Sequence, residues 1–149
     1  MSLTVISMEK HDVCRPATVD GALIDATSKK ILLIQRSTGP FKDKWALPGG
    51  YVNFDENVGQ AVVREVWEET GLKVKVQSMF GVYSTPDRDP RQTITTVFIL
   101  KLIGGKIRPS NETSKVEWFP MNKLPKLAFD HKVIISDLRK NLNSGRIWR

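Results

Sequence analysis

Between positions 49 and 74 the chain reads "GGYVNFDENVGQAVVREVWEETGLKV", which sets Glu65, Glu68 and Glu69 within five residues beside Arg64. Carboxylates at i, i+3 and i+4 share one side of a helix, where like charges repel by a few tenths of a kcal/mol per pair. A chain of net charge +7 that gathers its negative groups there is expected to hold something positive among them. Hard divalent ions such as Mg²⁺ take oxygen ligands and are usually bound by carboxylates together with substrate phosphates. Three glutamates could supply such ligands without His or Cys, which points to phosphate chemistry. The plainer reading is a solvated acidic face.

The element that carries them is read as a helix over residues 57–70. That stretch has no Pro, and its one Gly, Gly59, lies in the first turn. Asn53, Asp55 or Asn57 could cap the start, and Gly71 is placed to end it. At about 100° per residue, Val62, Val63, Val66 and Trp67 form one arc, expected to pack on a sheet. Glu65, Glu68 and Glu69 fall on roughly the opposite arc, with Arg64 at its border. Pro48, Gly49 and Gly50 precede the helix as a break whose backbone carbonyls are free to point back toward the carboxylates.

Around this helix, residues 17–24 and 31–35 read as strands joined by the polar turn "DATSKK", and "STGPFKDK" reads as a loop. "WALPGGYV" reads as a short strand running into a tight loop. "VKVQSMFGVYST" and "TITTVFILKLIG" are β-rich, the second apolar enough to be buried on both faces. Between them "PDRDPRQ" is a polar, turn-forming loop. "VEWFP" reads as a short strand, and "FDHKVIISDLRKNL" as a C-terminal helix with Val133, Ile134 and Leu138 at helical spacing. Trp45, Trp67 and Trp118 are read as core residues. Strands with one helix in the middle and one at the end predict a mixed α/β domain, a sheet covered by helices on two sides.

At 149 residues the chain is most simply one domain over 1–149. Its 40% hydrophobic and 26% charged content is ordinary for a globular protein. The 23 Lys and Arg against 16 Asp and Glu serve solubility, or draw an anionic ligand to the protein. No basic run is dense enough to argue for nucleic acid. Cys14 is the only cysteine, which excludes an intramolecular disulfide and a Cys-rich metal site. "MSLTVISMEK" lacks the features of a signal peptide, and no apolar run is long enough to cross a bilayer. A cytoplasmic location and no membrane partner are the expectation.

Gly50, five residues, Glu56, seven residues, then "REVWEETGL" reproduces the signature of the Nudix hydrolases at every defined position: Gly50, Glu56, Arg64, Glu65, Val66, Glu68, Glu69, Gly71 and Leu72. The resemblance implies an α/β/α sandwich with a mixed sheet, and hydrolysis of a nucleoside diphosphate linked to another group. It implies that Glu65, Glu68 and Glu69 bind divalent metal, Mg²⁺ or alternatively Mn²⁺, helped by the carbonyl of Gly49. Arg64 would orient the glutamates and Glu56 help fix the loop. It also permits a homodimer.

"STPDRDPRQTITTVFI" and "KLPKLAFDHKVII" are similar to segments of compact ADP-ribose pyrophosphatases. On that resemblance Arg88 and Arg91 are expected to grip phosphate or ribose oxygens, Phe129 to stack on adenine and His131 to make a polar contact. Arg36 is a further phosphate candidate, and Glu112 an additional metal ligand or general base. Each has a plainer reading: a solvated turn, a core Phe with a helix-start His, an exposed Arg, a loop carboxylate. Gln92 and "NET" depart from the pattern. The expected reaction is cleavage of ADP-ribose to AMP and ribose 5-phosphate. The rivals are a Nudix enzyme for an oxidised nucleoside triphosphate or dinucleotide, and an ADP-ribose-sensing regulatory domain. Sensors of that kind carry a C-terminal DNA-binding domain, for which the stretch up to Arg149 leaves no room, so the enzyme is the favoured expectation.

Overall fold

The computed structural model describes residues 14–144. The reading of the first ten residues therefore lies outside the described residues. Among the described residues seven strands and two α-helices follow in the order β1 (Ala17–Asp25), β2 (Lys30–Arg36), β3 (Trp45–Ala46), β4 (Gly49–Tyr51), α1 (Val58–Thr70), β5 (Leu72–Tyr83), β6 (Ile94–Gly105), β7 (Thr113–Pro120) and α2 (His131–Asn143), with a 3₁₀ turn at Pro86–Arg88 between β5 and β6. They build one mixed sheet in the order β3-β2-β1-β6-β5, with β4 also on β1 and β7 also on β2. β1 runs parallel to β6 from Ala17↔Ile94 to Leu23↔Leu100. The other pairs are antiparallel.

Period-two alternation divides the apolar side chains between two cores, one on each face of the sheet. Val19, Leu23, Leu32, Phe98 and Leu100 join Ala61, Val62 and Val66 of α1. Their sequence neighbours Ala22, Ile31, Leu33, Val97 and Ile99 join Ile134, Ile135 and Leu138 of α2. The two-sided covering read from the sequence is thus present.

Four details differ from the expectation. The buried stripe of α1 is Ala61, Val62, Val66, Glu69 and Thr70, turned toward the acidic side because Glu69 faces the β4 backbone. Trp67 is correspondingly 41% exposed, with Lys73 and Arg108 lying over its ring at 5.7 and 4.9 Å. On α2 the buried positions are His131, Ile134, Ile135 and Leu138, and Val133 faces outward. β6 is buried only through Leu100, because β1 stops pairing there and the rest of β6 has β5 alone beside it.

The acidic helix is well delimited. Asn57 accepts from the Gln60 backbone N–H while the Gln60 side chain accepts from the Asn57 N–H, a reciprocal capping box. Gly71, in left-handed conformation at φ 76°, returns its N–H to the Trp67 carbonyl and ends the helix.

Candidate active site

A cleft of about 330 Å³ opens at the end of the sheet, lined by β1, β2, β4, α1, the 86–93 loop, Glu112 and the start of α2. One end is acidic. Glu65 and Glu69 of α1 enter it from beneath the strand formed by Gly49 and Gly50. The contact is tight: a Cβ added at Gly50 would stand 2.6 Å from the Glu65 carboxyl carbon and would displace that carboxylate. Glu69 is 5% exposed and accepts the Gly49 N–H at 2.8 Å. Burial pushes its carboxyl well above the ordinary carboxylate range, and the charges of Glu65, Asp20 and Glu112 add to the shift. Glu65 is raised by the same desolvation, against the opposing pull of Arg64.

Arg64 gathers this end. Its Nε and Nη2 donate to the two oxygens of Glu56 at 3.0 and 2.7 Å, and its Nη1 donates to Glu65 at 2.9 Å and Glu68 at 3.1 Å. Nη2 also donates to the Tyr51 carbonyl. The Arg64 hydrogen bonds, then the Asn53 N–H, hold the Glu56 carboxyl down to about 2. Glu68 differs from its neighbours: its side chain is 53% exposed, and it stands at the rim, outside the residues that line the cleft. Arg64→Lys, which keeps the charge and loses the planar fork, is expected to lower kcat far more than the melting temperature. Parallel kinetics and thermal melts check this, and equal losses would make Arg64 chiefly a structural ion pair.

The other end is cationic and aromatic. Arg36 and Arg91 lie over the Phe129 ring at 4.9 and 5.6 Å, and Phe41 meets its edge. Burial, then repulsion from Arg91, lowers the affinity of Arg36 for its proton; two neighbouring guanidiniums of this kind favour an anion between them. Arg91 donates from Nη1 to the Tyr51 hydroxyl at 2.7 Å. Phe129 lines the cleft with the guanidiniums of the chain itself upon its ring.

Arg88 and His131 also line the cleft, and both side chains are engaged within the protein. The Arg88 side chain is buried, donating to both oxygens of Asp130 at 3.0 and 2.7 Å and to the Thr93 hydroxyl. His131 is 2% exposed, its Nδ1 accepting the Leu47 N–H at 2.9 Å. Glu112 lines the cleft from the turn before β7, its carbonyl accepting the Ser37 N–H.

Among the lining residues not singled out from the sequence are Asp20, Asp89 and Tyr51. Asp20 carried a signal, being the one charged residue in the otherwise buried run "TVDGAL". Tyr51 carried none; its role comes from linking Arg64 through its carbonyl and Arg91 through its hydroxyl.

The donor set fits a hard divalent cation. It is all oxygen, and in the protein alone the carboxylates of Glu65 and Glu69 repel one another in a desolvated cleft. Among the described residues, no three acidic, His or Cys side chains stand together as a closed ligand set. Glu65 and Glu68 are turned onto Arg64, and Glu69 onto Gly49.

The NUDIX domain profile matches residues 15–138. The chain belongs to the Nudix family. An ADP-ribose pyrophosphatase from Methanocaldococcus jannaschii is 53% identical over 123 residues, covering 82% of this chain and 72% of that protein. A bifunctional NMN adenylyltransferase/ADP ribose pyrophosphatase from Francisella tularensis, solved complexed with AMP and Mn ion, has TM-score 0.75 and 29% identity. The match covers 87% of this chain and 42% of that one. The NUDIX domain of Shewanella oneidensis NrtR, complexed with ADP ribose, has TM-score 0.74 and 29% identity over 91% of this chain and 94% of that one. The α/β/α Nudix sandwich expected from the sequence is therefore the fold, and Gly50, Glu65 and Glu69 of the Nudix signature line the acidic end of the cleft.

Proposed function

We propose that this Nudix protein is an ADP-ribose pyrophosphatase, splitting ADP-ribose into AMP and ribose 5-phosphate with Mg²⁺. The observation that carries the reading is the two-ended cleft, carboxylates at one end and Arg36, Arg91 and Phe129 at the other. The 53% identical archaeal pyrophosphatase supports the choice of substrate. Glu65, Glu68 and Glu69, with the Gly49 carbonyl, would hold the cation, and Glu112 would assist as a further ligand or general base. When bound, the ion neutralises the diphosphate and lowers the pKa of a water toward neutrality. Arg64 orients the glutamates. Arg36 and Arg91 supply fixed positive charge for phosphate oxygens, and Phe129 offers its ring to the base once a guanidinium moves onto the phosphates. Mn²⁺ is the alternative cation. The substrate is a small molecule rather than nucleic acid, and a cytoplasmic homodimer belongs to the same reading. No helix among the described residues is long and apolar enough to cross a membrane.

The test is turnover of ADP-ribose with Mg²⁺ against a panel of nucleoside triphosphates and dinucleotides. Arg91→Ala removes a charge-assisted hydrogen bond worth roughly 1.5–3 kcal/mol. That is about one to two powers of ten in kcat/KM, and the loss is expected to be greater for ADP-ribose than for a nucleoside triphosphate. Equal small losses on both would return Arg91 to a solvated turn and weaken the case for ADP-ribose. A second reading, an ADP-ribose sensor, is favoured by the likeness to the NrtR domain; tight ADP-ribose binding without turnover in Mg²⁺ or Mn²⁺ would select it.

A further inference from the structure

Beneath the acidic end of the cleft lies a buried polar chain that the reaction described above does not use. The Leu47 N–H donates to His131 Nδ1 at 2.9 Å, so that nitrogen carries no proton and the ring proton sits on Nε2. Nε2 stands 3.4 Å from Asp20 Oδ1, and the Thr95 hydroxyl donates to Asp20 Oδ2 at 2.6 Å. Asp20 in turn is pressed against Gly49, its partner in the β1–β4 register. A Cβ at Gly49 would lie 2.0 Å from the Val19 carbonyl and 2.8 Å from Asp20 Oδ1. Two further backbone ties hold this loop: the Pro48 carbonyl accepts the Gly21 N–H of β1, and the Gly49 N–H donates to Glu69 of α1.

We propose that His131, acting through Leu47 and through Asp20 with Thr95, is a positioning residue that fixes the 47–50 loop, and with it Gly49, over the acidic helix. Two properties follow from the geometry. An unpaired Asp20 beside Glu69 would be a further buried carboxylate in the same cleft; the Thr95 hydroxyl satisfies one of its oxygens, and His131 Nε2 stands against the other. His131 also opens α2 two residues after Phe129, so one side chain ties the loop at the acidic end to the segment at the aromatic end. The inference rests on reading this cleft as a Nudix active site, and not on which nucleotide is cleaved.

The test compares His131→Leu, which fills the space without an acceptor, with His131→Asn, whose Oδ1 can take the Leu47 N–H. In metal-free protein, amide exchange at Leu47 and Gly49 is expected to accelerate in His131→Leu while α1 keeps its protection. His131→Asn should restore both amides. With divalent ion present, His131→Leu should lose about 10- to 100-fold in kcat with little change in KM, as groups that orient a metal site typically do, and the Asn variant should recover most of it. Unchanged exchange at Leu47 and Gly49 in His131→Leu would overturn the proposal. Should that variant fail to fold, ¹⁵N shifts of the wild-type His131 ring decide: a proton on Nε2 supports the arrangement, and a proton on Nδ1 overturns it. The exchange measurements need no substrate, so failure to cleave ADP-ribose would refute the proposed function and leave this inference standing.

Discussion

Glu69→Gln is expected to lower kcat by orders of magnitude and yet raise the melting temperature of the metal-free protein at neutral pH. The first effect follows from replacing a buried anionic oxygen donor by an amide at the centre of a carboxylate site. The second follows from linkage. Burial, reinforced by Glu65, Asp20 and Glu112, raises the Glu69 carboxyl well above its unfolded value. The folded state therefore binds that proton more tightly, and the stability it contributes is lost as pH rises from the ordinary carboxylate range toward the raised value. Glutamine still accepts the Gly49 N–H and carries no charge to desolvate. Melts of both proteins in chelator should converge at acidic pH and separate in favour of the variant toward neutrality. Near wild-type turnover in Mg²⁺ would remove Glu69 from the ligand role, and a variant less stable than wild type at neutral pH would overturn the desolvation effect.

The largest stability effect is expected at Arg88. Arg88→Ala would leave Asp130 and the buried Asp89 facing one another without the guanidinium that bridges them. Breaking a buried pair by deleting one partner typically costs about 3–5 kcal/mol, which urea unfolding at constant m would register directly. Arg88→Lys should recover only part of it, because the two-oxygen grip on Asp130 needs the fork. A loss below about 1 kcal/mol, accompanied by a substrate-selective drop in kcat/KM, would instead make Arg88 the phosphate-gripping residue that its place in "DRDPR" suggested.

The contrast between Arg88 and Arg91 shows where the sequence was readable. The strands, the acidic helix, its Gly71 stop and the two-sided core were legible because periodicity and caps are local signals. The signature glutamates were legible because their spacing on one helix fixes their common side. What holds Arg88 down, and leaves Arg91 partly exposed, is the pairing of Arg88 with Asp130, 42 positions away, which no local pattern carries. Glu69 was placed on the right face but not at the right depth, since its burial comes from a strand that folds back over the helix. Trp67 was misjudged for the same reason: the β4 backbone, rather than helical periodicity, sets how the helix is rolled.

The two ends of the cleft also differ in how much chain they must close. Glu69 reaches Gly49 across 20 positions, and Arg64 reaches Glu56 across 8. The opposite wall needs Arg88 to find Asp130 across 42 positions, and the tie that fixes the 47–50 loop over the acidic helix needs Leu47 to find His131 across 84. Longer closures are entropically dearer and form later. During synthesis the carboxylates can gather around Arg64 while the wall that faces them, and the tie on the 47–50 loop, still wait for the last helix. A partly opened molecule would fail in the same order, releasing its hold on the substrate side before it loses the carboxylates. Selectivity, in such a protein, is the first property to melt.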